Sequence, residues 1–399
     1  MSVPKIRSLS GGVNQSGLRD YNERLLLSML LRSGPMPGSD LARHAGLSPQ
    51  TVSVILRKLQ QDGLLERGEP QRGRVGKPSV PMGLAPGGVL SYGLKIGRRS
   101  ADLVLIGFTG GIRHQINTTY DYPMPDNIFS FLEDGIETIT AKLTSNEQSR
   151  ICGIGFAAPF ELWNWYDLAG APAEEFISWK DVNFQERVSR FSALPARVVN
   201  DATAACKAEH VYGRGKEFRD YAYFFISAFV GGGVVLNHSV FEGHQGNAGA
   251  LGSLRSIGPN GESRQLIDIA SINLLERRLQ QVEIDPQILW QQPQDWSEIS
   301  RYVEHWVGQT AQELAKAALS TCSVIDFEAI MIDGSFPENV RHELVERTQR
   351  YLINQDTRGL IPPRIEAGSI GGNARAIGAA SGPIFSQFLL NTNVGLATV

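Results

Sequence analysis

Gln50, Thr51, Ser53 and Arg57 stand close together in the chain and carry amide, hydroxyl and guanidinium groups, the donors and acceptors that read base edges and phosphate oxygens. Downstream, Arg72, Arg74 and Lys77 fall in Glu66–Pro81, a stretch punctuated by Gly and Pro. A basic hairpin there would touch phosphate or enter a minor groove. Both groups belong to a basic head. Residues 1–86 hold 12 Lys and Arg against 6 Asp and Glu, a balance of +6 that leaves −9 for the remaining 313 residues. The overall charge of −3 therefore conceals a segment suited to a polyanion.

The elements that would position these groups are legible as a three-helix order. Asn22–Arg32 carries leucines on nearly every face, as a helix buried in a small bundle does. Gly34-Pro35 breaks it, and Ser39–Ala45 reads as a second helix with Ser39 as its cap. The third, Ser48–Asp62, opens with Ser48 as N-cap and Pro49 at the first helical position. Val52, Ile55, Leu56 and Leu59 give it one apolar face, and the opposite face shows Gln50, Thr51, Ser53 and Arg57. The order helix, helix-turn-helix, basic hairpin describes a winged helix-turn-helix, whose third helix enters the major groove. Ser48, Gln50, Thr51, Ser53, Arg57, Arg72, Arg74 and Lys77 are the DNA-contact candidates. The alternative is a helical protein–protein module with a solvated basic loop.

At 399 residues, two or three domains are expected. No long uninterrupted apolar stretch suggests a membrane span. Tyr221–Val235 comes nearest, and its Gly231-Gly232-Gly233 run with Asn237-His238 beyond it reads as strand, turn, strand. The N-terminus lacks the apolar core of a secretory signal, and Cys152, Cys206 and Cys322 are scattered without CxxC spacing, which argues against disulfides and a cysteine zinc site. A cytoplasmic location follows. Beyond Ala85–Gly88, apolar segments at Val89–Ile96, Ala101–Phe108, Ile151–Ala157 and Arg197–Val199 alternate with helical segments at Asn127–Leu143 and Asn183–Phe191, the pattern of an α/β body.

Several separated segments, in order, carry a family resemblance: Leu18-Arg19-Asp20-Tyr21-Asn22, Gly73-Arg74-Val75-Gly76-Lys77-Pro78, Trp179-Lys180-Asp181, Val199-Asn200-Asp201-Ala202-Thr203-Ala204-Ala205, Gly246-Asn247-Ala248-Gly249, and Gly372-Asn373-Ala374-Arg375-Ala376-Ile377-Gly378-Ala379-Ala380. From Leu18 to about Phe388 the chain resembles the ROK family of bacterial repressors, uncharacterised frames and sugar kinases. The resemblance implies a multi-domain chain: an N-terminal all-α winged helix-turn-helix at 1–84, then an α/β actin/hexokinase-like (ribonuclease H-like) two-lobed ROK domain. Its small lobe would span 89–200 and its large lobe, with an oligomerisation surface, 201–399, the C-terminal helix being free to return to the small lobe.

The resemblance also locates what has changed. A ROK kinase cradles phosphate on a DxGGT turn, where small residues let backbone N–H groups approach and an acid manages the metal. The matching segment reads Lys95-Ile96-Gly97-Arg98-Arg99. The second phosphate loop, GTGxGGG, reads Ser227-Ala228-Phe229-Val230-Gly231-Gly232-Gly233, and the glycines near the nucleotide base read Ile332-Asp333-Gly334-Ser335-Phe336. Asp201 matches the family's general base and Asn200 a sugar-hydroxyl ligand. The sugar-gripping ExGH motif reads Ala250-Leu251-Gly252-Ser253, and Leu254–Ser271 lacks the cysteines of the family's zinc site, so that neither metal nor cofactor is expected.

Each remnant has a structural alternative. Asp201 at the start of a helix would serve as an N-cap. His244, Gln245 and Asn247 would join Asn200 and Asp201 in holding an effector, or form a solvated Gly-rich loop. Trp163, Trp165 and Trp179 would stack on a sugar or pack in the core. The expected function is that of a DNA-binding transcription regulator, a repressor responding to a sugar or sugar derivative, with no catalytic residue and Asp201 as a vestigial base. It would bind a palindromic operator on double-stranded DNA as a homodimer or homotetramer. The alternatives are a sugar kinase with an accessory DNA-binding head, and an effector-independent DNA-binding scaffold.

Overall fold

Leu25, Leu26, Leu27 and Leu30 need burial, as does the apolar face of the third helix, and in the computed structural model both sets are buried. Residues 15–70, 80–257, 261–291 and 293–390 are described. They fall into two units, one formed by residues up to 199 together with those from 379 onward, the other by Asn200–Gly378. Among the described residues no helix is long and apolar enough to cross a membrane.

The first unit opens with α1 (Gln15–Ser33), β1 (Met36–Pro37), α2 (Gly38–Ala45), α3 (Pro49–Gln61), β2 (Leu65–Arg67) and β3 (Pro81–Leu84). The strands form a sheet in the order β1-β3-β2, with Leu65 opposite Leu84 and Met36 opposite Met82. The expected Ser39 cap is not formed. Pro37, in extended conformation at φ −61° and ψ 147°, precedes the helix without a side-chain cap bond. The proline ring sets that φ, so the turn into α2 comes before Ser39.

In the same unit, β4 (Leu90–Ile96), β5 (Ser100–Gly107), β6 (Ile112–Thr119), β7 (Ile151–Ala158) and β8 (Ala196–Asn200) make a sheet ordered β6-β5-β4-β7-β8. The β4–β5 and β5–β6 pairs are antiparallel and β4–β7 is parallel. Helix α4 (Pro125–Thr140) lays Ile128, Phe129, Leu132 and Ile139 into the core beside Leu103 and Leu105. The head is tied to this body at α1, where Arg24 Nη1 donates to the Ser386 carbonyl (3.3 Å) and Ser28 Oγ accepts from Leu390 N (2.9 Å).

The second unit repeats the sheet plan. Strands β9 (Tyr221–Ile226), β10 (Val230–Leu236), β11 (Ser239–Phe241), β14 (Ala329–Gly334) and β15 (Arg364–Ala367) are ordered β11-β10-β9-β14-β15, with β12 (Arg255–Ile257) and β13 (Ser263–Gln265) as a separate ribbon. Again the first three strands are an antiparallel meander, and β9–β14–β15 run parallel. Helices Ile272–Gln281, Ser300–Cys322 and Glu338–Ile353 bury Leu275, Trp306 and Leu344 among β-strand side chains such as Phe224, Ile330 and Ile332.

The triple glycine is not in a turn, as its composition suggests. Residues 227–229 make the bend and Gly231, Gly232 and Gly233 lie within β10. The reason is close approach: a Cβ on Gly231 would stand 2.7 Å from Ala202 Cβ, and one on Gly233 2.5 Å from Cys206 Cβ. The helix Asp201–Tyr212 thus lies directly on the strand. The following turn falls on Asn237 and His238, both at positive φ, as two-residue hairpin turns require.

Candidate functional site

Helix α3 is built for display. Ser48, at φ −64° and ψ 144°, accepts from Thr51 N through Oγ (3.1 Å), and its hydroxyl also meets Thr51 Oγ1 at 2.8 Å. Val52, Ile55, Leu56 and Leu59 are buried, while Ser48, Gln50, Thr51, Ser53 and Arg57 are exposed. Two of these candidates thus spend hydrogen bonds on the cap, and no described residue holds the side chains of Gln50, Ser53 or Arg57. The helix itself is anchored. Lys58 Nζ lies 2.6 Å from Glu23 Oε1 on α1, and Arg150 Nη1 donates to the Asp62 carbonyl (2.5 Å), placing a cation where the helix dipole is negative. Arg72, Arg74 and Lys77 lie outside the described residues.

The turn between β4 and β5 is internally paired. Lys95 is buried, with Nζ 2.7 Å from Asp102 Oδ2 and 2.8 Å from Ser100 Oγ. Its charge is neutralised within the sheet. Tyr120 OH donates to the Gly97 carbonyl (2.8 Å) and Arg99 Nη1 to the Asp121 carbonyl, so these side chains bind the turn to its own neighbours.

In the second unit, Asn200 takes the capping role that sequence offers as an alternative for Asp201. Its Oδ1 accepts from Ala202 N (3.1 Å) and Thr203 N (3.0 Å). Asp201 accepts from Ala202 N through Oδ1 (2.9 Å), and its Oδ2 lies 3.4 Å from Arg375 Nη1. Arg375 is itself buried. Its Nη2 donates to Ser227 Oγ (3.0 Å) and Ser335 Oγ (3.5 Å), and its guanidinium lies 5.3 Å from the Phe225 ring centroid.

Beside it, Asp333 is fully buried and receives Arg341 Nη1 (2.9 Å), Tyr223 OH (3.1 Å), Gly371 N (2.9 Å) and Gly334 N (2.9 Å). Burial, with Asp333 close by, pushes the Tyr223 phenol well above its ordinary range. Glu209, also fully buried, binds the 369–370 loop through Ser369 N and Ile370 N. Sequence reasoning missed Arg375, Asp333 and Arg341 as members of one cluster. The signals were Arg375 inside one quoted motif and Asp333 inside another, with nothing in the sequence to join them to each other or to Arg341.

His244 and Gln245 are exposed and Asn247 half-buried, on a loop held by an Ala248 N to Glu242 carbonyl bond (2.9 Å). Among the described residues, no hydrogen bond brings them to Asn200 or Asp201. Trp179 is buried, donating Nε1 to the Pro123 carbonyl (2.8 Å), and Trp163 and Trp165 pack against the same core. Among the described residues, no group of three or more His, Cys, Asp or Glu side chains is arranged for a metal ion.

Comparison with known proteins follows this division. The ROK family profile matches residues 91–382 and the MarR family profile residues 20–74. The chain is 24% identical over 242 residues to the xylose repressor of Bacillus spizizenii, spanning 60% of this chain and 62% of that protein, less than two thirds of its length. Its fold is similar to that of a ROK family transcriptional regulator, a homologue of the Escherichia coli MLC protein, with TM-score 0.65, 16% identity and coverage of 93% and 98%. A ROK family glucokinase from Streptomyces griseus, solved with glucose and AMPPNP, shares the fold over 73% of this chain and 98% of its own, at TM-score 0.57 and 18% identity.

Proposed function

This chain belongs to the ROK family, and on that premise we propose that it is a DNA-binding transcription regulator, acting as a repressor and without kinase activity. One observation carries the proposal. The outward face of α3 holds Gln50, Ser53 and Arg57 free for an external partner, whereas the residues at the kinase positions are paired with one another.

The DNA-binding domain is assigned to residues 1–84, with the wing residues Arg72, Arg74 and Lys77 on phosphate or in the minor groove. Ser48 and Thr51 order the start of α3 and keep one exposed edge each. The body, 89–200 and 201–399, is proposed to oligomerise as a dimer or tetramer, placing two recognition helices about 34 Å apart on a palindromic operator. A cytoplasmic protein fits this work.

A sugar or sugar derivative is the proposed effector, since the fold is shared with a glucose-bound kinase. Asn200, Asp201, His244, Gln245 and Asn247 are its proposed ligands. Asn200 keeps its amide nitrogen for this, its carbonyl oxygen being engaged in the cap. Phosphoryl transfer lacks support. The site of the metal-handling acid is a buried lysine already paired with Asp102.

Purified protein is expected to bind a site near its own gene in preference to random DNA, with log affinity falling linearly in log salt. No preference at any such site would overturn the proposal. A thermal-shift screen of sugars tests the effector, because a ligand of the native state raises apparent stability. ATP-dependent phosphate transfer to any hexose, lost in Asp201→Asn, would restore the kinase reading.

A further inference from the structure

Val54 is the feature of α3 that neither the fold nor the polar contact set uses. It is 53% exposed, and it stands on the outward face of a helix whose other face buries four aliphatic side chains. With Gln50, Ser53, Arg57 and Gln61, all exposed, it completes a stripe at helical spacing. Val54 sits in the middle of that stripe and alone lacks a donor or acceptor.

An exposed valine is unremarkable on an ordinary surface, and the chain exposes others, Ile361 and Val324 among them. Its position is what distinguishes this one. A face that meets the major groove meets an edge on which the thymine C5-methyl is the apolar group. Valine answers it well, because branching at Cβ fixes χ1 and presents two methyls as a rigid knob at little entropic cost.

We infer that Val54 is a specificity-determining residue that reads the methyl group of a thymine in the operator, next to the base pair read by Gln50. The amide of Gln50 pairs with adenine N7 and N6. Side chains four residues apart on a helix are about 5–6 Å apart, more than the ~3.4 Å step between base pairs, so the two readings fall on neighbouring base pairs. The half-site therefore contains an adenine and a thymine methyl in adjacent register. This inference rests on the proposed DNA-binding function.

The test uses the full chain. Duplexes bound from a random pool are sequenced, and each thymine of the selected site is then replaced by uracil, which removes only the methyl. Wild type is expected to lose about fourfold in affinity at one thymine per half-site, the worth of one buried methyl-sized group. Val54→Ala, a better helix former, is expected to bind the thymine and uracil duplexes alike. Equal binding of both duplexes by wild type, or retention of the difference in Val54→Ala, would overturn the inference while leaving DNA binding intact. Absence of any enriched sequence would instead remove the proposed function, and the inference with it.

Discussion

The outer face of α3 and the cluster around Asp201 and Asp333 are both rich in polar side chains, yet they dispose of them in opposite ways. Gln50, Ser53 and Arg57 face solvent and are held by no described residue. Arg375, Ser227, Ser335, Asp333 and Arg341 are buried and bonded to one another or to backbone. Water satisfies an exposed polar group until a partner displaces it, whereas a buried one must be satisfied at once. The buried polar side chains are here internal structure, and the groups open to an outside partner are the hydrated ones.

The largest effect expected from this contrast is in the buried cluster. Asp333→Ala leaves Arg341, paired at 2.9 Å, with an uncompensated charge, and the loss in unfolding free energy should reach about 3–5 kcal/mol. The double variant Asp333→Asn with Arg341→Met should lose less, since it removes both charges while the amide oxygen can still accept from the Tyr223 hydroxyl and Gly371 N. Denaturant unfolding measures both. If the single variant were as stable as wild type, the two regions would not differ in kind.

The outer face should respond in the opposite way. Gln50→Ala should leave stability within about 0.5 kcal/mol of wild type, yet lower affinity for the selected operator by about 1–3 kcal/mol. A loss of stability without a loss of binding would assign Gln50 to the fold rather than to the DNA.

Elements governed by local pattern were legible from the sequence. Ser48, Pro49 and the four aliphatic positions of α3 specify start and buried face within a few turns, and the alternation of β4, β5 and β7 specifies the body's α/β class. Ser39 misled because capping preference says nothing of the backbone that Pro37 imposes one step earlier. The glycine triplet misled because its cause, a helix lying on β10, is tertiary. Asp201 and Arg375 are 174 residues apart, and no spacing rule joins them. Val54 was passed over because a polar-face reading counts donors and acceptors and ignores an exposed methyl.

A smaller effect tests how α3 is started. Ser48 Oγ satisfies Thr51 N at 3.1 Å, and Ser48→Ala should cost about 1 kcal/mol in the stability of the head. Ser48→Asp should retain it. Hydrogen exchange at the Thr51 amide resolves this loss from unfolding of the body; unchanged protection in Ser48→Ala would show that the cap is not what orders the presenting end of the helix.

The smallest effect is a slope, and it belongs to the buried side of the contrast alone. Glu209 is raised above its ordinary value of 4.5, first by burial and then by the charge of Asp333, against the N–H bonds from Ser369, Arg214 and Ile370 that favour the anion. The folded state therefore holds the Glu209 proton to higher pH than the unfolded chain does. Its contribution to stability is full below about 4.5 and is lost as pH rises through the folded value. Glu209→Gln should remove that decline. The substitution also costs a constant amount, since one amide oxygen cannot accept from Ser369 N, Ile370 N and Arg214 N as the two carboxylate oxygens do, so the comparison is of slopes rather than of stabilities at one pH. Thermal unfolding of both proteins from pH 4 upward decides it. Parallel curves would mean that Glu209 ionises in the fold as it does in water, and the cluster would then be less dry than its geometry indicates.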